Sequence, residues 1–556
     1  MTATAATSSL WVRCPGCEGP MYGEHYQRNQ RVCPGCGHHD RLSSHDRLDR
    51  LLDPGSMRPI TAAPTAADPL RFTDTLPYRT RLEQTRLRTG LHEAVTCGTA
   101  AILGHPAVAA VMDFAFMGGS LGCAVGEHIT AAAEHALAQR LPLVIVTASG
   151  GARMQEGALA LMQMAKTSQA LADLDDAGLL TISVITDPTY GGVAASFATL
   201  TDLIIAEAGA HMGFAGPRVI AGTLKQTLPE GFQTAETLLA GGLVDGVRKR
   251  AELTPALAHL LSTATWAKNG RTVPDAWRAT APHLVHRPED LPERDAWHTV
   301  ALARDPGRPT TLDYACYLTE DFHELRGDRI SGDCPAIVAG IGRLDEVPIM
   351  LIGHQKGHDT RELVTHNFGM GSPAGFRKAA RLMRLADKLG LPILTLIDTP
   401  GAYAGIEAEA GGQAHAIAAN LRLMSRLRVP VVAVVTGEGG SGGALALGVA
   451  DRVLALSNAV YSVISPEGCA AILWRDATAA PRAAAALRLT TRDLLHHRII
   501  DAVIPEPDGG AHRDPSLTIR LVRQAITATL YELTRMEPAD LVSARRRRFR
   551  DFGVSA

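Results

Sequence analysis

The sequence predicts an α/β protein of two tandem, similarly built domains behind a small cysteine module. Three observations carry that reading. A rhythm of strand, glycine turn and helix runs through most of the chain, it recurs at an interval of 250 residues, and two CPGC pairs lie in the first 36 residues. At 556 residues the chain has room for about two to four domains with large buried cores. Lysine plus arginine (55) balance aspartate plus glutamate (57), so no global field marks a nucleic-acid or membrane binder. No apolar run reaches bilayer-spanning length. The N-terminus, MTATAATSSLWVRC, has neither a basic n-region nor an apolar h-region, so a cytoplasmic, reducing location is expected.

In that setting clustered cysteines read first as metal ligands. Cys14 and Cys17, then Cys33 and Cys36, each present two thiolates from one tight turn, and a short hairpin between them brings both turns around one tetrahedral ion. A structural zinc ribbon over 10–45 follows, with one zinc per chain. Two disulfides or a redox CxxC would leave the duplicated Pro-Gly turn unexplained. The five remaining cysteines are scattered singly and read as small core residues.

Beyond a Pro-, Ala- and Thr-rich stretch, apolar runs such as PLVIVTASGGAR (142–153) read as buried strands ending in glycine turns. Segments such as ALALMQMAKTSQALADL (158–174) read as amphipathic helices. The repeat is explicit. LPLVIVTASGGA (141–152) aligns with LPILTLIDTPGA (391–402), ISVITDP (182–188) with VAVVTGE (432–438), and HMGFAGP (211–217) with YSVISPE (461–467). Two homologous α/β domains are expected over 46–267 and 296–556, joined by a linker at 268–295.

Four glycine turns stand out: SGGAR (149–153), YGG (190–192), TPGAY (399–403) and GEGGSGGA (437–444). Glycines at strand ends expose backbone N–H groups, and a following helix N-terminus favours an anion there. Within each domain the turns lie about one crossover apart, so both can face one pocket. None fits a dinucleotide fingerprint or a P-loop. Packing explains any one glycine pair, but four at matched positions favour oxyanion stabilisation. Ser441 has no assignable His or Asp and reads as a spacer. Glu407 and Glu438 are either general bases or structural carboxylates. A site of backbone donors with little acid–base apparatus suits enolate chemistry on a thioester.

These same segments carry a resemblance. FAFMGGSLGCAVGEHI (114–129), ASGGARMQEGALALMQMAKTS (148–168), SVITDPTYGGVAASFATLTD (183–202) and GFAGPRVI (213–220) resemble the zinc-ribbon-bearing β subunit of bacterial acetyl-CoA carboxylase carboxyltransferase. FHELRGDR (322–329), IGHQKG (352–357), LIDTPGAY (396–403), GEGGSGGALALGV (437–449) and YSVISPEGCAAILW (461–474) resemble its α subunit. The likeness covers nearly the whole chain. It departs where the α pattern GAYPG reads GAYAG (401–405) and where the long N-terminal helices of α subunits shrink to the 268–295 segment.

The resemblance implies a crotonase-like spiral fold in each half and transfer of a carboxyl group from carboxybiotin to acetyl-CoA, giving malonyl-CoA. Biotin would arrive in trans on biotin carboxyl carrier protein, charged by biotin carboxylase, and the coenzyme A thioester would be the substrate. Release of CO2 leaves a biotin anion that removes the α-proton, and the enolate attacks CO2. Carried over, Gly191 and Gly192 form the β-half oxyanion turn and Gly442 and Gly443 the α-half turn. The first is assigned to the enolate and the second to biotin, with the reverse open. Gly150, Gly151 and Arg153 line the coenzyme A channel, Arg153 being alternatively an ion-pair residue. A homodimer with shared sites is expected. The alternatives are a propionyl-CoA carboxyltransferase, a malonyl-CoA-type decarboxylase, or a zinc-ribbon nucleic-acid-binding regulator. For the last, ARRRRFR (544–550) is the basic run to weigh, and it reads as a solvated helix face with nucleic acid at most a secondary contact.

Overall fold

In the computed structural model, which describes residues 11–224, 227–268, 272–279 and 283–554, the chain divides into two units. One is Met1–Ala240 with Val244–Thr265, the other Gly241–Leu243 with Trp266–Ala556. The first begins with an antiparallel pair, β1 (Trp11–Arg13) and β2 (Pro20–Tyr22). Both CPGC turns close the same way. The N–H groups of Glu18 and Gly37 donate to the carbonyls of Cys14 and Cys33, whose own N–H groups donate to Gly19 and His38.

The module is tied to the rest of its unit by a buried ion triad. Arg47 and Arg250 clasp Glu207 at 2.8 and 2.7 Å, and Arg250 also donates to the carbonyls of Gln30 and Asp40. Burial opposes the Glu207 charge, but the two guanidiniums prevail and hold its pKa down at about 2.

The sheet of this unit contains β3 (Arg58–Pro59), β4 (Val95–Ile102), β5 (His105–Met112), β6 (Leu143–Ser149), β7 (Thr181–Tyr190), β8 (Leu203–Glu207) and β10 (Gly246–Arg248). Their order is β10-β8-β7-β6-β5-β4-β3, and β9 (Met212–Gly213) pairs with the end of β7. The β4–β5 hairpin turns through Leu103 and Gly104, both at positive φ as a type I′ turn requires. From β5 to β10 the strands run parallel. β6, LVIVTAS, is buried at every residue, as a strand covered on both faces must be.

The second unit repeats this plan with β11 (Glu320–Glu324), β12 (Ile337–Leu344), β13 (Val347–His354), β14 (Ile393–Thr399), β15 (Val431–Gly440), β16 (Arg452–Leu456) and β18 (Ala502–Ile504). The order is β11-β12-β13-β14-β15-β16-β18, with β17 (Val460–Ser462) on the end of β15. β6 and β14, β7 and β15, and the helices Cys123–Gln139 and Pro373–Leu389 all start 250 residues apart. The preceding hairpins start only 242 apart, because the second half has eight more residues between its hairpin and its long helix. Pro373 opens that helix, and Gly390 at φ 74° closes it in the left-handed conformation.

The 268–295 segment, of which residues 269–271 and 280–282 lie outside the described residues, packs on the second unit. Trp277 is buried and donates to Asp345, and Val285 pairs with Val503. The C-terminal helix Pro538–Asp551 carries the basic run, which is only partly a solvated face. Arg545 has no exposed side-chain surface: it grips Asp451 and the carbonyls of Met424, Leu427 and Val429. Arg548 holds Asp501. Among the described residues no helix is long and apolar enough to cross a membrane.

Candidate active site

In the first unit β6 runs out into Gly150–Gly151 and β7 into Gly191–Gly192, and the two turns touch. A Cβ on Gly191 would lie 2.8 Å from the Cα of Gly151, and Gly191 sits at φ +60°, so glycine is required twice over. The N–H of Gly191 donates to the Phe214 carbonyl, that of Gly150 to the Gly118 carbonyl, and that of Gly151 to the Ser149 hydroxyl. A short helix starts at Gly191, so the N–H groups of Gly192 and Val193 have no intrahelical acceptor. The two turns of the domain, expected from sequence to face one pocket, are in direct contact.

The second unit reproduces the contact. A Cβ on Gly443 would fall 2.5 Å from the Ala402 nitrogen, and one on Gly440 would strike the Pro400 carbonyl. The register differs from the one taken from sequence. Tyr190 pairs with Gly213 as Gly440 pairs with Ser462, which sets Gly191–Gly192 opposite Ser441–Gly442 rather than Gly442–Gly443. Matching the double glycines by eye slides the turn one residue, whereas the strand ends fix it. Ser441 takes the left-handed position of Gly191, at φ +57°. Beyond this turn opens a cavity of about 520 Å³, of ligand size. Ser441 and Gly442 line it, with Leu487, Leu494, Phe549 and Phe552 as apolar wall and Ser462, Arg488 and His497 as polar wall.

Of the two readings of Arg153, the ion pair is the one the structure shows. Its guanidinium has no exposed surface and donates to both oxygens of Glu93, at 2.9 and 2.6 Å, and to Ser120. Burial disfavours its charge, but Glu93 outweighs this and holds its pKa above the usual range. Glu156, beside it, accepts the Tyr78 hydroxyl and the Cys123 N–H that opens the long helix. Arg153 therefore fixes the turn that carries Gly150 and Gly151. Gly150 itself is exposed and remains available to a ligand.

The two carboxylates considered as bases are both committed. Glu438 lies between Arg304 at 2.7 Å and Lys356 at 3.2 Å, and Lys356 also pairs with Asp398 at 2.7 Å. This group locks the ends of β14 and β15, where the turns begin. Glu407 is exposed, and its own backbone N–H and the Tyr403 hydroxyl hold its pKa below the usual carboxylate range. Sequence reasoning missed the ion group and the cavity wall, because their residues come from separate stretches. The available signal was Phe549 and Phe552, one inside the basic run and one just after it.

The sulfurs of Cys14, Cys17, Cys33 and Cys36 all lie within 4.8 Å of one another. Cys14 and Cys36 approach to 3.6 Å, Cys17 and Cys33 to 3.9 Å. Tetrahedral Zn–S bonds of about 2.3 Å place sulfurs roughly 3.8 Å apart, so the cluster fits one zinc ion.

Comparison with known proteins agrees with this geometry. The family model for acetyl co-enzyme A carboxylase carboxyltransferase-like proteins matches residues 289–553. The acetyl-coenzyme A carboxylase carboxyl transferase subunits beta/alpha of Parafrankia sp. (strain EAN1pec) is 58% identical, covering 98% of this chain and 92% of that protein. Its counterpart from Salinispora arenicola is 57% identical, covering 98% and 97%. Among solved structures, transcarboxylase 12S with methylmalonyl-coenzyme A and methylmalonic acid bound is 23% identical at a TM-score of 0.67, covering 92% of this chain and 91% of that one. That likeness carries the fold, two crotonase-like domains in tandem. The identity over nearly the whole length places the function: the chain belongs to the acetyl-CoA carboxylase carboxyltransferases, in the form that joins beta and alpha subunits in one polypeptide.

Proposed function

We propose that this chain transfers a carboxyl group from carboxybiotin, presented on a carrier protein, to acetyl-CoA, giving malonyl-CoA. The observation that carries the reading is the pair of touching glycine turns in each half, each ending at a helix whose first N–H groups lack intrahelical acceptors. Carboxyl transfer develops negative charge on two oxygens, the thioester enolate and the ureido oxygen of the donor. Backbone N–H groups on rigid strand ends stabilise such charge without reorganising. Gly192 and its helix end serve one oxygen, and Gly442 and its helix end the other, the enolate being assigned to the first half. The donor supplies both CO2 and, once decarboxylated, the base that takes the α-proton. Glu407 and Glu438, committed elsewhere, are then not needed for that step.

The remaining residues position these turns. Arg153 with Glu93 braces the first half, while Lys356, Asp398 and Glu438 brace the second. Gly150 and Gly151 border the path of the coenzyme A thioester. The four cysteines hold a structural zinc that folds the ribbon. The chain works as a cytoplasmic homodimer with a biotin carrier protein and biotin carboxylase, each pocket joining a first-half turn and a second-half turn from different chains. The direct test is malonyl-CoA-dependent carboxylation of biocytin, the reverse reaction. Carboxybiocytin and acetyl-CoA should form together, and formation of acetyl-CoA without carboxybiocytin would mark a decarboxylase instead.

A further inference from the structure

Of the polar side chains lining the second-half cavity (Ser441, Tyr461, Ser462, Arg488 and His497), Tyr461 has a buried polar atom without a partner among the described residues. Tyr461, on β17, lines it together with Ser441 and Gly442. Its hydroxyl is buried and has no hydrogen-bond partner among the described residues. A buried hydroxyl without a partner is destabilising, and native folds keep few of them unless a water or ligand completes the bond.

The ring is deliberately seated. A Cβ on Gly439 would lie 2.6 Å from the Tyr461 ring, and one on Gly448 would lie 2.9 Å from its hydroxyl, so two glycines clear its place. The duplicated first half shows that the fold itself does not demand this. There Met212 pairs with Thr189 where Tyr461 pairs with Gly439, and Ala198 stands 250 residues before Gly448. The Thr189 hydroxyl is satisfied by Thr147. One framework thus carries a methionine in one half and, in the other, a phenol with space made for it.

The surroundings define what the phenol can recognise. The cavity wall is apolar at Leu487, Leu494, Phe549 and Phe552 and polar at the Ser441–Gly442 turn, Ser462, Arg488 and His497. Burial pushes the phenol pKa above its usual value, so the group stays an O–H donor. The phenol shares this cavity with the Ser441–Gly442 turn, to which the proposed function assigns the ureido oxygen of the donor. The carbonyl oxygen of that ureido ring can accept a hydrogen bond from a neutral phenol.

We propose that Tyr461 contacts the carboxyl donor directly, donating a hydrogen bond to its ureido ring in the second-half cavity. This rests on the carboxyltransferase reading and adds to it a specificity-determining residue for the donor side. The test compares full-length chains carrying Tyr461→Phe and Tyr461→Met with the unmodified chain, in malonyl-CoA-dependent carboxylation of biocytin. Both variants should raise the KM for biocytin about 5- to 10-fold, the range of one neutral hydrogen bond, and leave the KM for malonyl-CoA within about twofold. The Tm of Tyr461→Phe should not fall, because the lost hydroxyl has no protein partner. An unchanged biocytin KM in both variants overturns the proposal. So does a rise confined to malonyl-CoA, which would give the cavity to the thioester, and so does a clear drop in the Tm of Tyr461→Phe. If the unmodified chain fails to carboxylate biocytin at all, the carboxyltransferase reading falls and takes this one with it. That failure is visible before any substitution is made.

Discussion

A Cβ on Gly443 would sit 2.5 Å from the amide nitrogen of Ala402, whereas one on Gly442 meets nothing nearer than Ile417, at 3.8 Å. One residue therefore packs the two turns together, and its neighbour faces open space at the end of the cavity. Valine at Gly442 should leave the Tm nearly unchanged and lower turnover by about 100-fold or more, as loss of one oxyanion donor does. Valine at Gly443 should lower the Tm clearly, since backbone must move to admit it. Thermal melts and the biocytin assay on both variants check this, and normal turnover in Gly442→Val would remove the turn from the chemistry. Sequence made the turns legible as glycines after apolar strands, but not which glycine does which task. That depends on the β15–β17 register, set by pairing far along the chain. The ion-pair alternative for Arg153 was readable, but its partner was not, for a similar reason. Its partner Glu93 lies 60 residues away and carries no motif.

Among the elements, strands and long helices were the readable part, because fully buried parallel strands announce themselves as unbroken apolar runs. The ribbon was readable from its CPGC turns alone. Its attachment was not, since Arg47, Glu207 and Arg250 come from three distant elements. Two substitutions separate metal from attachment. Cys33→Ser should lose about one zinc per chain and unfold the ribbon. Glu207→Gln should keep the zinc yet lower stability by about 3–5 kcal/mol, because it leaves two buried guanidiniums without a carboxylate. Metal analysis with limited proteolysis distinguishes them, and full zinc retention in Cys33→Ser would sink the ligand assignment. The Glu207 contribution is present above its ordinary pKa of 4.5 and is lost only as pH falls toward about 2, so neutral conditions do not perturb it. The C-terminal helix misled sequence reading because charge alone does not reveal burial. Arg545→Ala strips a buried partner from Asp451 and three carbonyls, so it should lower the Tm strongly. Arg547→Ala, on the exposed face, should change it little. Equal Tm values for the two would contradict that difference in packing.

At the scale of the whole molecule, duplication gives each chain one first-half turn and one second-half turn, and the proposed chemistry needs one of each at every pocket. Homodimers that share turns between chains would hold two equivalent pockets, each built from two chains. Complementation tests this directly. Chains carrying Gly192→Val are inactive through the first-half turn, and chains carrying Gly442→Val through the second. A Cβ would lie 3.3 Å from the Leu121 side chain at Gly192 and 3.8 Å from the Ile417 side chain at Gly442, with no backbone atom among the nearest neighbours of either, so the folds should survive. Mixed under conditions that permit subunit exchange, they form hybrid dimers in half of the cases if exchange is random. With shared pockets, each hybrid contains one doubly damaged and one intact pocket. Each hybrid then has half the activity of an unmodified dimer, and the mixture should recover about a quarter of it. With pockets confined to single chains, every pocket in every dimer keeps one damaged turn, and no ratio of mixing restores activity. Because each variant alone is inactive, the rise on mixing is measured against a background near zero. A flat response after demonstrated subunit exchange would place both turns of a pocket in the same chain.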